Sequence, residues 1–287
     1  MLSAALGFLG SIIYGASDFF GGLAASRIRA EKVTAITSVV GLALLLAITP
    51  IFGATFTAAA VFWGSVAGVI GAIAIVLLYA CLAIGPMSIL APIMALISAV
   101  VPISIAFVRG ERLSVVGYFG LALGLVAVLL ICFVPGTSVV RPALRSVLLA
   151  VGAGVAVGLY LFFIDLSPND TGLASLIVVF GVSAALTGSA VLIRWLAGAR
   201  APAPAPAPRF RGGVALAVYA GITDAAASAL FLGALRLGDL SVVSVLSAMS
   251  PAGTILLAAI VLRERVAAVQ WIGFAVALIA AALLAVV

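Results

Sequence analysis

The sequence predicts an all-α membrane protein: ten transmembrane helices arranged as two inverted five-helix repeats. Three observations carry that prediction. The 287 residues are 66% hydrophobic and only 8% charged, against about 45–50% and about 25% in an ordinary soluble domain. The apolar residues come in long blocks, each near the roughly 20 residues that a membrane-spanning helix needs. The second half of the chain also repeats landmarks of the first at a nearly constant offset.

So few charges cannot cover a water-exposed surface. That excludes a soluble enzyme, a nucleic-acid binder and a disordered protein. Strands of a transmembrane barrel would alternate every second residue, and these blocks do not. Cutting at charged, Pro-rich or Gly-Pro interruptions gives the spans in order. The first, 3–25, contains Asp18, follows no basic n-region and is too long for a signal peptide, so it reads as a retained helix. Spans 33–52 and 60–83 follow, the latter with Trp63 and Tyr79 near its ends as interface anchors. The fourth, 88–108, opens on Gly85-Pro86-Met87-Ser88, and the fifth, 114–134, follows Gly110-Glu111-Arg112. Beyond a boundary near Pro135 to Arg145 come 144–164, 172–196, 212–235, 241–262 and 267–287.

A slide of about 153 residues lays Gly85-Pro86-Met87-Ser88 on Gly238-Asp239-Leu240-Ser241, Glu111-Arg112 on Glu264-Arg265 and Gly120 on Gly273. A slide of about 143 lays Gly15 on Gly158 and Phe19-Phe20 on Phe162-Phe163. The difference fits an expansion near the Ala-Pro run 201–208, which reads as a spacer in polyproline II geometry. The chain therefore divides into repeats at 1–138 and 139–287. Five spans is an odd number, so the second copy enters the membrane from the opposite side. Inverted repeats of this kind typify secondary transporters.

Eleven Arg and Lys residues flank the loops after odd-numbered spans and three (Arg109, Arg112, Arg236) those after even-numbered ones. The positive-inside rule then puts the odd loops in the cytoplasm and both termini outside. There is no His, so a His-ligated metal site and a Ser-His-Asp triad are excluded. Cys81 and Cys132, at span ends, read as small buried apolar residues.

Two acids lie inside spans: Asp18 in the first and Asp224 in the eighth. A charge there costs about 2.5–3.5 kcal/mol on insertion scales, while a central Leu returns only about 0.3–0.6 kcal/mol. Such a carboxyl is a candidate for loading and releasing a proton near neutral pH. The alternative is a protonated acid that hydrogen-bonds a neighbouring helix. Neither has a counterpart acid in the other copy, where Leu161 and Gly71 stand instead.

Gly7, Ser11, Tyr14, Asp18 and Gly22 share one helical face, as do Ala217, Gly221, Asp224, Ser228 and Phe231. A small or polar stripe in an apolar helix faces protein or a watery cavity, and close packing is the simpler use of the glycines. Span nine carries Ser247, Ser250 and Pro251, and span four Pro92, Ser98 and Pro102. Each proline removes a backbone donor, and helix breaks in corresponding spans of two repeats point to a central site. Tyr160 and Tyr219 join Tyr14 as cavity candidates, since each buried hydroxyl needs a partner. Glu111 and Glu264 stand at helix starts, where the dipole favours a carboxylate, the alternative being a gate at the pore mouth, and Arg236 and Asp239 are expected to form a surface pair.

With these motifs in place, the chain resembles a ten-helix EamA-type member of the drug/metabolite transporter superfamily. The resemblance rests on the duplication, on Gly85-Pro86-Met87-Ser88-Ile89-Leu90-Ala91-Pro92, on Gly110-Glu111-Arg112-Leu113 with Gly117 and Gly120, and on Tyr14-Gly15-Ala16-Ser17-Asp18-Phe19-Phe20-Gly21-Gly22. It implies an exporter of small metabolites or drugs in the plasma membrane, with both termini cytoplasmic, against the charge count. The expected function is a secondary transporter working by alternating access, with a proton as the candidate coupling ion. The alternative is an intramembrane enzyme or a non-transporting receptor. The expected partners are a small-molecule substrate and the lipid bilayer, with no nucleic acid and no cofactor, in a monomer or homodimer.

Overall fold

Long apolar runs without water to solvate their backbone must satisfy it internally, and helices do so. The computed structural model describes residues 1–84, 87–133, 143–197, 212–263 and 266–286. Gly85-Pro86, most of the Pro135 to Arg145 boundary, the Ala-Pro run and Glu264-Arg265 lie outside the described residues. Helices form at Leu2–Ala25 (α1), Ala30–Phe52 (α2), Ala58–Ile84 (α3), Met87–Val108 (α4), Val115–Cys132 (α5), Leu144–Asp165 (α6), Ala174–Leu196 (α7) and Gly213–Leu237 (α8). Leu240–Ser247 (α9), Pro251–Leu257 (α10) and a π-helical turn at Ala258–Leu262 make up one broken rod, and Ala268–Ala285 (α11) completes the chain. No strand occurs among the described residues.

Nine described segments are long and apolar enough to cross a membrane, Leu240–Leu262 taken as one. In α4 the apolar stretch Pro92–Val108 is shorter. Large apolar side chains such as Leu46, Phe62, Val76, Leu192 and Ile279 are exposed on the flanks of the rods. In water this would aggregate; in a bilayer it is the solvated surface.

Four pairings hold the bundle. α1 lies antiparallel to α8, with the Ser3 hydroxyl donating to the Ala234 carbonyl (2.9 Å) and Ser17 to Ala220 (3.0 Å). α2 lies antiparallel to α7, where Ser38 and Ser183 hydroxyls meet at 2.9 Å and Gly41 receives the Phe180 ring. α3 packs on α6 through Gly71 against Tyr160 and Leu77 against Gly152. α5 lies antiparallel to α11, Gly120 facing Leu284 and Gly273 facing Ile131. Between lipid-soluble helices the hydrophobic effect gives little, so small residues and hydroxyl bonds worth about 0.6 kcal/mol each supply the specificity. Gln270 shows the same economy: buried, it accepts from the Ala267 amide (3.0 Å) and donates to the Ile131 carbonyl (3.2 Å).

Two expectations are corrected. Prolines were expected to break spans four and nine alike, yet α4 runs unbroken through Pro92 and Pro102. Pro92 falls in its second turn, where few intrahelical bonds are lost. In span nine Pro251 falls mid-rod, and Met249, Ser250, Ala252 and Gly253 all bond to the carbonyl three residues back, a 3₁₀-like tightening. Nor do Arg236 and Asp239 pair. Arg236 donates instead to the Gly172 carbonyl at 2.6 Å, because this connects it to the loop that its helix end already abuts.

The break lies against α1. A Cβ on Gly15 would meet the Ser250 carbonyl oxygen and lie 2.6 Å from the Thr254 amide, and the Thr254 hydroxyl donates to the Gly15 carbonyl at 3.0 Å. Gly22, one face along, has nothing within 4 Å. Gly15→Ala is therefore expected to cost about 1–3 kcal/mol by overpacking, lowering the melting temperature in detergent, whereas Gly22→Ala leaves it unchanged or raises it.

Candidate functional site

The antiparallel contact of α1 with α8 fixes where the intramembrane acids go. Ser17 bonded to Ala220 sets the register, which places Asp18 one residue on in α1 and Asp224 one turn on in α8. The two carboxyls are within electrostatic reach of each other, and Tyr14 is within reach of both. Tyr14 packs its ring on Phe231, centroids 6.0 Å apart. From α6, Tyr160 comes within reach of Tyr14 and Asp224, and its hydroxyl has Ser228 as a hydrogen-bond partner. Residues from three helices thus form one interior polar group: Tyr14 and Asp18, Tyr160, Asp224 and Ser228.

Exposure separates the members. Ser228 is buried; Tyr14, Tyr160 and Asp224 are partly buried; Asp18 is exposed although it stands well inside its helix, as is Gly22 one turn further. Among the described residues, no Arg or Lys acts on either carboxyl. No group of three or more Cys, Asp or Glu side chains able to hold a metal occurs among them either.

The other candidates fall at a distance from this group or spend their hydroxyls locally. Ser11 is fully buried and donates to the Phe8 carbonyl at 2.7 Å, Ser98 to Ala95 at 2.8 Å and Ser247 to Ser244 at 2.9 Å. These bonds close within one helix, as hydroxyls in apolar helices commonly do. Ser250 and Pro251 form the break that α1 crosses. Pro92 lies partly buried in α4. Tyr219 is 57% exposed and packs on Phe20, centroids 5.8 Å apart.

At the end of the bundle that carries both termini, contacts appear that the sequence reading did not anticipate. Arg109, closing α4, meets Asp165, closing α6, at 2.7 Å. Glu111 accepts from the Ser241 amide at 3.3 Å and from its hydroxyl. Glu111 was expected to serve the start of α5; Ser114 caps that helix instead, accepting from the Gly117 amide at 3.2 Å, which frees Glu111 for the start of α9. These partners are 56 and 130 residues apart, and no local pattern marks either pair.

An all-helical bundle with an apolar flank and an acid-bearing polar interior defines an integral multi-pass membrane protein. Residues 144–286 match the EamA-like transporter family, a family of membrane transporters, and the chain belongs to it. A solved structure, described only as the crystal structure of a protein, aligns over 99% of this chain and 97% of its own with a TM-score of 0.72. At 20% identity that likeness is one of fold. No curated protein matches the chain in sequence.

If Asp18 faces water, Asp18→Cys reacts with a membrane-impermeant maleimide, in a background with Cys81 and Cys132 replaced, at least tenfold faster than Ser11→Cys. Equal rates would place Asp18 against lipid.

Proposed function

We propose that the protein is a secondary transporter that exports a small metabolite or drug by alternating access, with proton binding at Asp18 and Asp224 coupled to substrate binding. The observation that carries this reading is the convergence of those two acids with Tyr14, Tyr160 and Ser228 inside the bundle. Each ionised acid would cost about 2.5–3.5 kcal/mol against lipid, a cost that a binding group justifies and bare packing does not.

Alternating access needs two halves that can exchange conformations. The pairings favour ten spans in an inverted repeat at 1–138 and 139–287, with α4 as the tenth crossing. Rods five apart, α2 with α7 and α5 with α11, pack antiparallel. The α1–α8 contact has its counterpart in α6–α3, and that of α4 with α6 in the contact of the broken rod with α1. Family membership favours transport over the intramembrane enzyme or receptor.

The charge count orients the terminus-bearing end outward. Asp18 and Gly22 are exposed toward the opposite end, so the conformation fits a carrier loading from the cytoplasm of a plasma membrane.

Metabolite profiling of the medium with and without the gene names a substrate, and proteoliposomes then test the acids. Asp18→Asn and Asp224→Asn are each expected to lower pH-dependent transport at least tenfold while expression is retained. Unchanged transport in both variants would overturn proton coupling through these residues. A reporter fused to the C-terminus is expected to be active outside the cell; activity confined to the cytoplasm would reverse the orientation.

A further inference from the structure

The terminus-bearing end holds a cavity of about 330 Å³ between the α4–α5 turn, the end of α6 and the α8–α9 turn. Its lining includes Arg109, Glu111, Asp165, Asp239, Ala106 and Leu240. The interior polar group does not use these charges.

Two bonds cross this mouth, and both join residues before 138 to residues after it. One is Arg109 to Asp165, Nη1 to Oδ2 at 2.7 Å. The other is Glu111 to Ser241, through the Ser241 amide and hydroxyl at the second residue of α9. The geometry behind the second is built in. Gly110 has φ +92°, a conformation in which only glycine is unstrained. It turns the chain sharply after α4. Glu111 then reaches the buried start of α9, whose unpaired amides and dipole favour a carboxylate.

We propose that Arg109–Asp165 and Glu111–Ser241 form a latch between the two halves that holds this mouth shut, and that the latch loosens as pH rises. The proposal rests on the transporter reading only in requiring that the halves part at this end.

The pH direction follows from what faces Glu111. Burial in the closed mouth, the largest influence, pushes its carboxyl above the ordinary range. The bonds from Ser241 oppose that, while the negative charges of Asp239 on the α8–α9 turn and Asp165 on α6 reinforce it. Arg109, two residues back on the same turn, is engaged by Asp165. An open mouth would return Glu111 to water and to its ordinary value. The closed state therefore binds a proton more readily than the open one. Its stability is full at low pH and is lost as pH rises through the raised value.

The test reads the mouth directly and needs no substrate. Spin labels go at Val108→Cys and Leu237→Cys, both exposed (88% and 57%) beside the mouth and outside the latch. Cys81 and Cys132 are replaced, and distances are measured by pulsed electron spin resonance in nanodiscs at pH about 4, below the ordinary glutamate value, and about 8. The unmodified latch should give one short distance at the lower pH and a growing longer component at the higher. Glu111→Gln, neutral but still an acceptor, should keep the short distance at both. Glu111→Ala and Asp165→Asn should each raise the longer component about threefold or more at the lower pH. Distance distributions unchanged across all variants would overturn the latch. A Glu111→Gln protein that still responds to pH would overturn the role given to Glu111. Neither result depends on transport, so loss of the Asp18 or Asp224 prediction leaves this one standing.

Discussion

Hydrocarbon offers no partner to a polar group, and the architecture of this protein follows from that. Every rod must close its own backbone bonds, and every side-chain hydroxyl must find an acceptor nearby. Ser11, Ser98 and Ser247 do so within one turn. Ser3, Ser17 and Ser38 do so across a helix contact and thereby fix which rods touch and in what register. The carboxyls of Asp18 and Asp224 are the costliest case. Their meeting, beside two tyrosines and a serine, is set by the same α1–α8 register that satisfies the serines.

The pairing of rods is close to symmetric, but the chemistry is not. Where α1 and α8 carry Asp18 and Asp224, α6 and α3 carry Leu161, buried, and Gly71, packed against Tyr160. The two acids thus come one each from α1 and α8, and the α3–α6 contact carries none at those positions. The break in the ninth rod is likewise one-sided. It lets α1 approach backbone to backbone at Gly15 and Gly253, one turn from Asp18, so a local departure from helical geometry supports the acid-bearing helix directly.

The terminus-bearing end obeys different physics. There water is present, and a half-exposed ion pair such as Arg109–Asp165 contributes little by itself. Its importance is positional: with Glu111–Ser241 it borders one cavity between the α4–α5 turn, the end of α6 and the α8–α9 turn. Weak bonds suit a place that has to part repeatedly, whereas the dry Ser and Gly contacts along the rods are suited to stay.

Composition and block length alone determined that the chain is a helical membrane protein, because hydrophobicity over some 20 residues is a one-dimensional property. The rod boundaries fell within a few residues of expectation for the same reason, and the isolation of Asp18 and Asp224 was legible because two acids stand out in apolar runs. What the tertiary structure decided is which distant residues meet. Pro92, Pro102 and Pro251 look alike in sequence, yet α4 runs on through the first two, and only the rod at Pro251 breaks, where it meets α1 backbone to backbone at Gly15. Glu111 beside α5 looked like a charge serving that helix's start, and Arg236 near Asp239 like a pair. Their actual partners, Ser241 and the Gly172 carbonyl, come from elements brought close only by packing. A residue's chemistry is written in its own side chain, but its partner depends on how rods far apart in the chain settle against one another.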